Sequence, residues 1–153
     1  MDSFSIILVV VLLILVILSA FFSGSETSIM ALNQIKLDNA EKQGNKSAKI
    51  INSLRKEINR VLGVILIGNN LVNISASALL TFFVIKKFGD EYVWIGTLLL
   101  TIFIIIFAEI APKSFAAKRP ESIAYPAGRI LKVLTKYLGS FSEMLTSISN
   151  SLT

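Results

Sequence analysis

The 153-residue chain has no cysteine, no histidine and only three prolines. Without thiols or imidazoles there is no disulfide framework, no thiol nucleophile, no imidazole base and no soft metal site. The missing cysteines say nothing about redox compartment. Charge is scarce too. Only 16% of residues are Asp, Glu, Lys or Arg, against roughly 25% in soluble domains, while 54% are hydrophobic. The shortage is concentrated in residues 3–25, 61–85 and 92–108, three runs of 23, 25 and 17 residues without a single charge. A spanning helix needs about 20 largely apolar residues, so all three qualify. A soluble enzyme is thereby excluded, and the expectation is an integral membrane protein with no enzymatic role.

What charge there is sits beside the runs. The formal net charge of +5 could suggest a nucleic-acid partner, but basic residues flanking hydrophobic runs read as topology, so no nucleic acid is expected. The first run is too long for the apolar core of a signal peptide and no basic residue precedes it, so it is read as a retained helix. Thirteen Lys and Arg residues lie between runs one and two or after run three, and only Lys86 and Lys87 lie between runs two and three. Positive-inside asymmetry then puts the N-terminus outside and the C-terminus in the cytoplasm. Tyr92 and Trp94 open the third run, as interfacial anchors do.

Two amphipathic helices are expected on the basic side. Ile50, Ile51, Leu54, Ile58 and Val61 recur at helical spacing and lead into run two, with Gly44-Asn45 as the preceding turn. After Pro120, residues Ile123, Ala127, Ile130, Leu134, Leu138 and Phe141 fall on one side, and Arg129, Lys132 and Lys136 on the other. That pattern suits a helix lying against anionic headgroups. A helix packed on another protein segment stays open as the alternative.

Polarity interrupts each run. At the inner end of the first, Ser23, Glu26 and Thr27 share a helical face, and Gly24 lowers helix stability and allows local unwinding. The hydroxyls have an ordinary alternative, bonding back to their own helix. Deep in the second run stand Gly68, Asn69, Asn70 and Asn73, followed by Ser75, Ser77 and Thr81. Residues 68–73 lie roughly 10–18 Å from the inner end at Val61. One asparagine would read as an interhelical hydrogen bond; three in five residues beside a glycine point to a polar ligand site. The third run ends in Ala108-Glu109-Ile110-Ala111-Pro112-Lys113, where Pro112 deprives the Ala108 carbonyl of its helical donor beside a carboxylate. A plain helix stop with a snorkelling Lys113 is the alternative there.

All three interruptions fall in the inner half of the bilayer under this topology, so one site can contain them. Broken helices around a cavity are the usual construction of an ion-transport site. The donors on offer are carboxylate, amide, hydroxyl and carbonyl oxygens, the chemistry of hard cations. It does not choose between Mg²⁺ and Ca²⁺, or Na⁺ where charge permits. Glu26 and Glu109 would together neutralise a dication.

At Phe22-Ser23-Gly24-Ser25-Glu26-Thr27, Ile67-Gly68-Asn69-Asn70-Leu71-Val72-Asn73 and Ala108-Glu109-Ile110-Ala111-Pro112-Lys113, the chain resembles the transmembrane (DUF21) domain of the CorC/CNNM family. The resemblance covers residues 1–140. It implies an all-α membrane fold with three transmembrane helices at about 4–31, 60–86 and 91–111, and a juxtamembrane helix at about 121–139. It also implies a homodimer in the bilayer of the cell membrane and Mg²⁺ export driven by Na⁺ entry through an inward-facing cavity. Ser23, Thr27, the Gly68 carbonyl, Asn70, Asn73 and Glu109 would hold Mg²⁺. Glu26, Asn69 and Ser77 would ligate it, support a ligand from behind, or serve Na⁺. Gly24 and Pro112 would shape the helices, with Lys113 as a cytoplasmic anchor. A non-transporting Mg²⁺ sensor or scaffold, or a carrier of Ca²⁺ or Na⁺, remains as an alternative. Family members usually continue into cytoplasmic nucleotide-binding CBS domains. Residues 141–153 read instead as a polar tail, so the expectation is a truncated chain lacking that domain, with a naturally short member as the other case.

Overall fold

A computed structural model describes residues 3–151, and these are helical almost throughout. Helices α1 (Ser3–Ala31), α2 (Gln34–Lys42), α3 (Lys46–Lys56) and α4 (Ile58–Phe88) are followed by a 3₁₀ turn at Asp90–Tyr92. Then come α5 (Val93–Phe103), a π-helical segment (Ile104–Ile110), α6 (Ala111–Lys118) and α7 (Pro120–Ser151). Three stretches are long and apolar enough to cross a membrane: α1, α4, and the continuous path from Asp90 to Lys118. Only 17%, 28% and 11% of their most apolar windows is buried within the protein. Their remaining apolar surface has no partner among the described residues, as expected of helices solvated by lipid. This is a multi-pass, all-α membrane protein.

Local chemistry sets the connections. Asn33 accepts from the amides of Ile35 (2.9 Å) and Lys36 (3.2 Å) at the start of α2. Asn45 does the same for Ser47 (2.9 Å) and Ala48 (3.1 Å) at the start of α3. Each such cap is worth about 1 kcal/mol. Between α2 and α3, Gly44 adopts φ +87°, a conformation that costs glycine nothing.

The core lies at one end of the bundle rather than along the spans. Phe22 and Ile29 of α1, Leu37 of α2, Ile51 and Leu54 of α3, Val61 and Ile65 of α4, and Ala124 and Leu131 of α7 form one buried cluster. The α7 helix resolves the choice left open by its amphipathic pattern, because it has three sides rather than two. Ala124, Ala127, Leu131, Thr135 and Ser142 are buried against the protein, whereas Ile130, Val133, Tyr137, Leu138 and Phe141 are exposed. Arg129, Lys132 and Lys136 occupy the third side. So Ala127 packs on the chain while Ile130 and Phe141, expected on the same face, are left outward.

Three expectations need correcting. First, α1 runs through Gly24 without unwinding. Second, the third span does not stop near residue 111 but continues to Lys118, because the helical ladder loosens before Pro112 instead of breaking. Third, most of the supposed polar tail is the last part of α7. There the Thr146 hydroxyl donates to the Ser142 carbonyl (3.0 Å), so its polarity is absorbed by the helix itself. Ser142 is buried because it seats against Gly63, where a Cβ would come within 2.0 Å of its Oγ.

That contact gives a test of how α7 is held. Gly63→Val should destabilise the protein by about 1–3 kcal/mol through overpacking. Adding Ser142→Gly should recover much of the loss, read from thermal midpoints in detergent. Equal midpoints for the single and double variants would refute the contact.

Candidate ion-binding site

One turn of α1 touches both other spans. The Phe22 ring lies on Gly68 of α4, so closely that a Cβ on Gly68 would sit 2.5–2.9 Å from ring carbons. Gly24 meets the third span: its Cβ position is 3.6 Å from Pro112 Cβ, 3.7 Å from the Pro112 carbonyl and 3.8 Å from Ile123 of α7. One turn earlier, Ser19 Oγ donates to Asn69 Oδ1 at 2.9 Å. Less than a turn later, Glu26 pairs with Lys113 at 3.6 Å. The three polar interruptions are thus neighbours at one level of the bundle, with α1 between the other two. Gly24 and Gly68 matter as seats for close approach. Gly68 stands within unbroken α4, so its carbonyl belongs to the helical ladder and retains a second lone pair.

The hydroxyls of the first motif divide cleanly. Ser25 donates to the Phe21 carbonyl (2.6 Å) and Ser28 to the Ser25 carbonyl (3.0 Å), the ordinary fate of serine in a membrane helix. Ser23 is different. It is 1% exposed, and its Oγ has no hydrogen-bond partner among the described residues. On α4 the same holds for Asn73 Oδ1, which is buried and unpartnered. Leaving a buried polar atom unmatched costs about 1–3 kcal/mol, so each of the two, one on α1 and one on α4, is open to a ligand. Thr27 and Ser77 are half-buried, and the Ser77 carbonyl accepts from Thr81 (2.9 Å).

Asn69 and Asn70 separate from Asn73. Asn69 is engaged by Ser19, which makes it an interhelical tie and lets it position its neighbours from behind. Asn70 is exposed on the outer surface of α4, in company with Leu66, Leu71 and Ile74. Ser19 was not singled out from the sequence. Its position one turn before Ser23, on the same face, was the available signal.

The carboxylates also part company. Glu26 and Lys113 are each about half exposed and lie 3.6 Å apart, a loose pair of little energetic weight. Lys113 offsets the charge that Glu26 would otherwise bring to a cation. Glu109 has no ion pair among the described residues, so it is the unneutralised anion of the region. It sits half-buried in the π-helical segment, which packs against α1. There the Ala111 amide bonds to the Ile106 carbonyl, five residues back instead of four. Pro112 has no N–H to hold the four-residue register, and a π turn is the strain-free way to absorb that loss. No structure-imposed hydrogen bond joins Glu109 to the asparagines among the described residues. The set of oxygens, hydroxyl, amide and carboxylate, suits a hard cation and offers nothing to a soft one.

A family model described as the cyclin M (CNNM) transmembrane N-terminal domain matches residues 10–153. The chain belongs to the CNNM transmembrane-domain family. It is 44% identical over 135 residues, 88% of its length, to the UPF0053 inner membrane protein YfjD of Escherichia coli, covering 32% of that protein. A UPF0053 protein of Haemophilus influenzae is 40% identical over 95% of the chain and 34% of its own length. A putative DUF21 domain-containing chloroplastic protein of Arabidopsis thaliana is 38% identical over 77% of the chain and 20% of its own length. The chain therefore spans about a third or less of these curated relatives of the CNNM family.

The helix contacts at this level are separable by substitution. A double-mutant cycle of Ser19→Ala and Asn69→Ala should give a coupling of about 0.6–1.7 kcal/mol in thermal or denaturant unfolding, the range measured for hydrogen bonds between membrane helices. Additive effects would show that the bond contributes nothing.

Proposed function

We propose that this chain is the membrane-spanning part of a Mg²⁺ transporter, in the cell (inner or plasma) membrane, that exports Mg²⁺ in exchange for entering Na⁺ and catalyses no covalent chemistry. The observation that carries the reading is the pair of buried, unpartnered oxygens, Ser23 Oγ on α1 and Asn73 Oδ1 on α4, two helices that meet where Phe22 lies on Gly68. An oxygen that is desolvated and unbonded already bears the cost that a coordinating cation would relieve. Membership of the CNNM family and the inner-membrane designation of the Escherichia coli relative support the membrane and the transport class.

In this reading Ser23, Thr27, the Gly68 carbonyl, Asn73 and Glu109 take Mg²⁺ from its water, while Asn70 is kept for the contact between copies. Glu109 supplies the countercharge. Neutral amides and hydroxyls keep the binding weak enough for release, as a carrier requires. Asn69 holds its stretch of α4 against Ser19, and Glu26 and Ser77 are the remaining oxygens available to Na⁺. The chain works as a homodimer. Asn70 supports this, because an amide on the outward surface of a spanning helix is costly against lipid and is relieved when another copy covers it. The greater length of the relatives supports a cytoplasmic regulatory domain on the same polypeptide.

Flux in proteoliposomes tests this directly. Wild-type chain should move Mg²⁺ faster when an opposing Na⁺ gradient is present. Glu109→Ala and Asn73→Ala should each reduce flux to that of empty liposomes, and Ser23→Ala should lower it by about tenfold, the worth of roughly 1.4 kcal/mol. Full flux in both Glu109→Ala and Asn73→Ala would overturn the site. Flux indifferent to Na⁺ would remove the exchange, and saturable Mg²⁺ binding without flux would make the protein a sensor. Preference for Ca²⁺ in competition would change the cargo.

A further inference from the structure

A second set of unsatisfied polar atoms lies away from the ion site, where α3, α4 and α7 meet. A cavity of about 410 Å³ opens there, lined by Ser53, Glu57, Arg60, Lys132, Thr135 and Lys136 together with Leu54 and Val133. Thr135 is 4% exposed, and its hydroxyl has no hydrogen-bond partner among the described residues. Neither does Arg60 Nε, which is also buried. The arginine is only loosely paired with its carboxylate neighbours. Glu57 Oε2 is 3.7 Å from its Nη1 and Glu143 Oε1 is 3.5 Å from its Nε, both well beyond the roughly 2.7–2.9 Å of a charge-assisted hydrogen bond. Its side chain lies across α7 at Gly139, where a Cβ would come within 2.1 Å of Nε.

The lining thus offers three cations against one carboxylate, with Glu143 loosely paired to Arg60 from outside it, plus a buried hydroxyl with nothing to bond. Those donors fit an oxyanion. The position of the cavity narrows the class. Arg60 directly precedes the charge-free run of α4, at the level where a bilayer's phosphates begin. On its outer side the lining passes into the exposed apolar strip of α7, with Val133 55% and Tyr137 73% exposed. A soluble anion has no use for that strip, whereas acyl chains do.

We propose that this cavity is a headgroup site for an anionic phospholipid. The Thr135 hydroxyl donates to the phosphate, Arg60, Lys132 and Lys136 balance its charge, and the acyl chains lie along Val133 and Tyr137. The lipid would complete the junction through which α7 is joined to α3 and α4.

The test is native mass spectrometry of the whole chain in detergent, offered equal amounts of phosphatidylglycerol and phosphatidylcholine. The wild type should retain phosphatidylglycerol preferentially. Thr135→Val, which removes a hydroxyl but no charge, should cut that preference about tenfold, as expected for losing a hydrogen bond to a charged group. Thr135→Ser should preserve it. The double variant Lys132→Gln, Lys136→Gln changes two exposed side chains, leaves the core untouched, and should also lose the preference. Equal retention of both lipids by the wild type would overturn the proposal. So would an unchanged preference in Thr135→Val, which would mean diffuse attraction to a basic surface. Displacement of the lipid by inorganic phosphate alone would assign the cavity to a soluble anion and overturn the lipid assignment.

Discussion

The bundle depends on how closely α1 can be approached near Phe22 and Gly24. Lipid gives apolar side chains no reason to prefer each other over acyl tails, so spanning helices associate through close packing and polar ties. Here a ring seated on Gly68 and a proline seated on Gly24 bring α4 and the third span onto opposite sides of the same turn. Ser19 and Asn69 supply the polar tie. Ser19, Ser23 and Asn69 are gathered at this level because the helices can approach closely enough here to hide them.

That arrangement explains why so little of the spans is buried away from this turn. From Ile6 to Leu18, α1 presents a succession of exposed isoleucines, leucines and valines. These residues keep the helix in the membrane without choosing its neighbours. The choice is made lower down, where Ile29, Leu37, Ile51 and Leu131 form a core of the kind found in water-soluble proteins. The molecule is in this sense two solvents' worth of protein. Its base folds by the hydrophobic effect, and its spans are held in register from that base.

Much of this was legible from the residues. Charge-free runs announce spans because lipid tolerates little else, and the Gly44-Asn45 turn carries its own backbone chemistry. The convergence of three polar interruptions followed from counting residues down each run. What escaped the sequence has a common cause. Ser19 stands alone in an apolar run and forms no pattern, and its importance is conferred by Asn69, fifty residues away. Gly24 reads as a weak point because a glycine's value as a seat depends on what sits there. Pro112 reads as a stop when only the four-residue ladder is considered, whereas a five-residue turn preserves the helix. The hydroxyl-rich end of α7 reads as tail because polarity along a chain does not reveal hydroxyls turned back on their own carbonyls.

The continuity of α7 has a mechanical side. Thirty-two residues of helix make a rod about 48 Å long. Near its start, Ile123 touches the same turn of α1 that carries Gly24, and Ser142 is lodged against Gly63 far along its length. A rod fixed by such contacts turns small angles into useful displacements. A tilt of about 5° pivoting near one end moves the other by about 4 Å, more than a hydrogen bond's length. The two seats lie nineteen residues apart, about 28 Å along the rod, so α7 braces the turn of α1 that carries Gly24 against the first turns of α4.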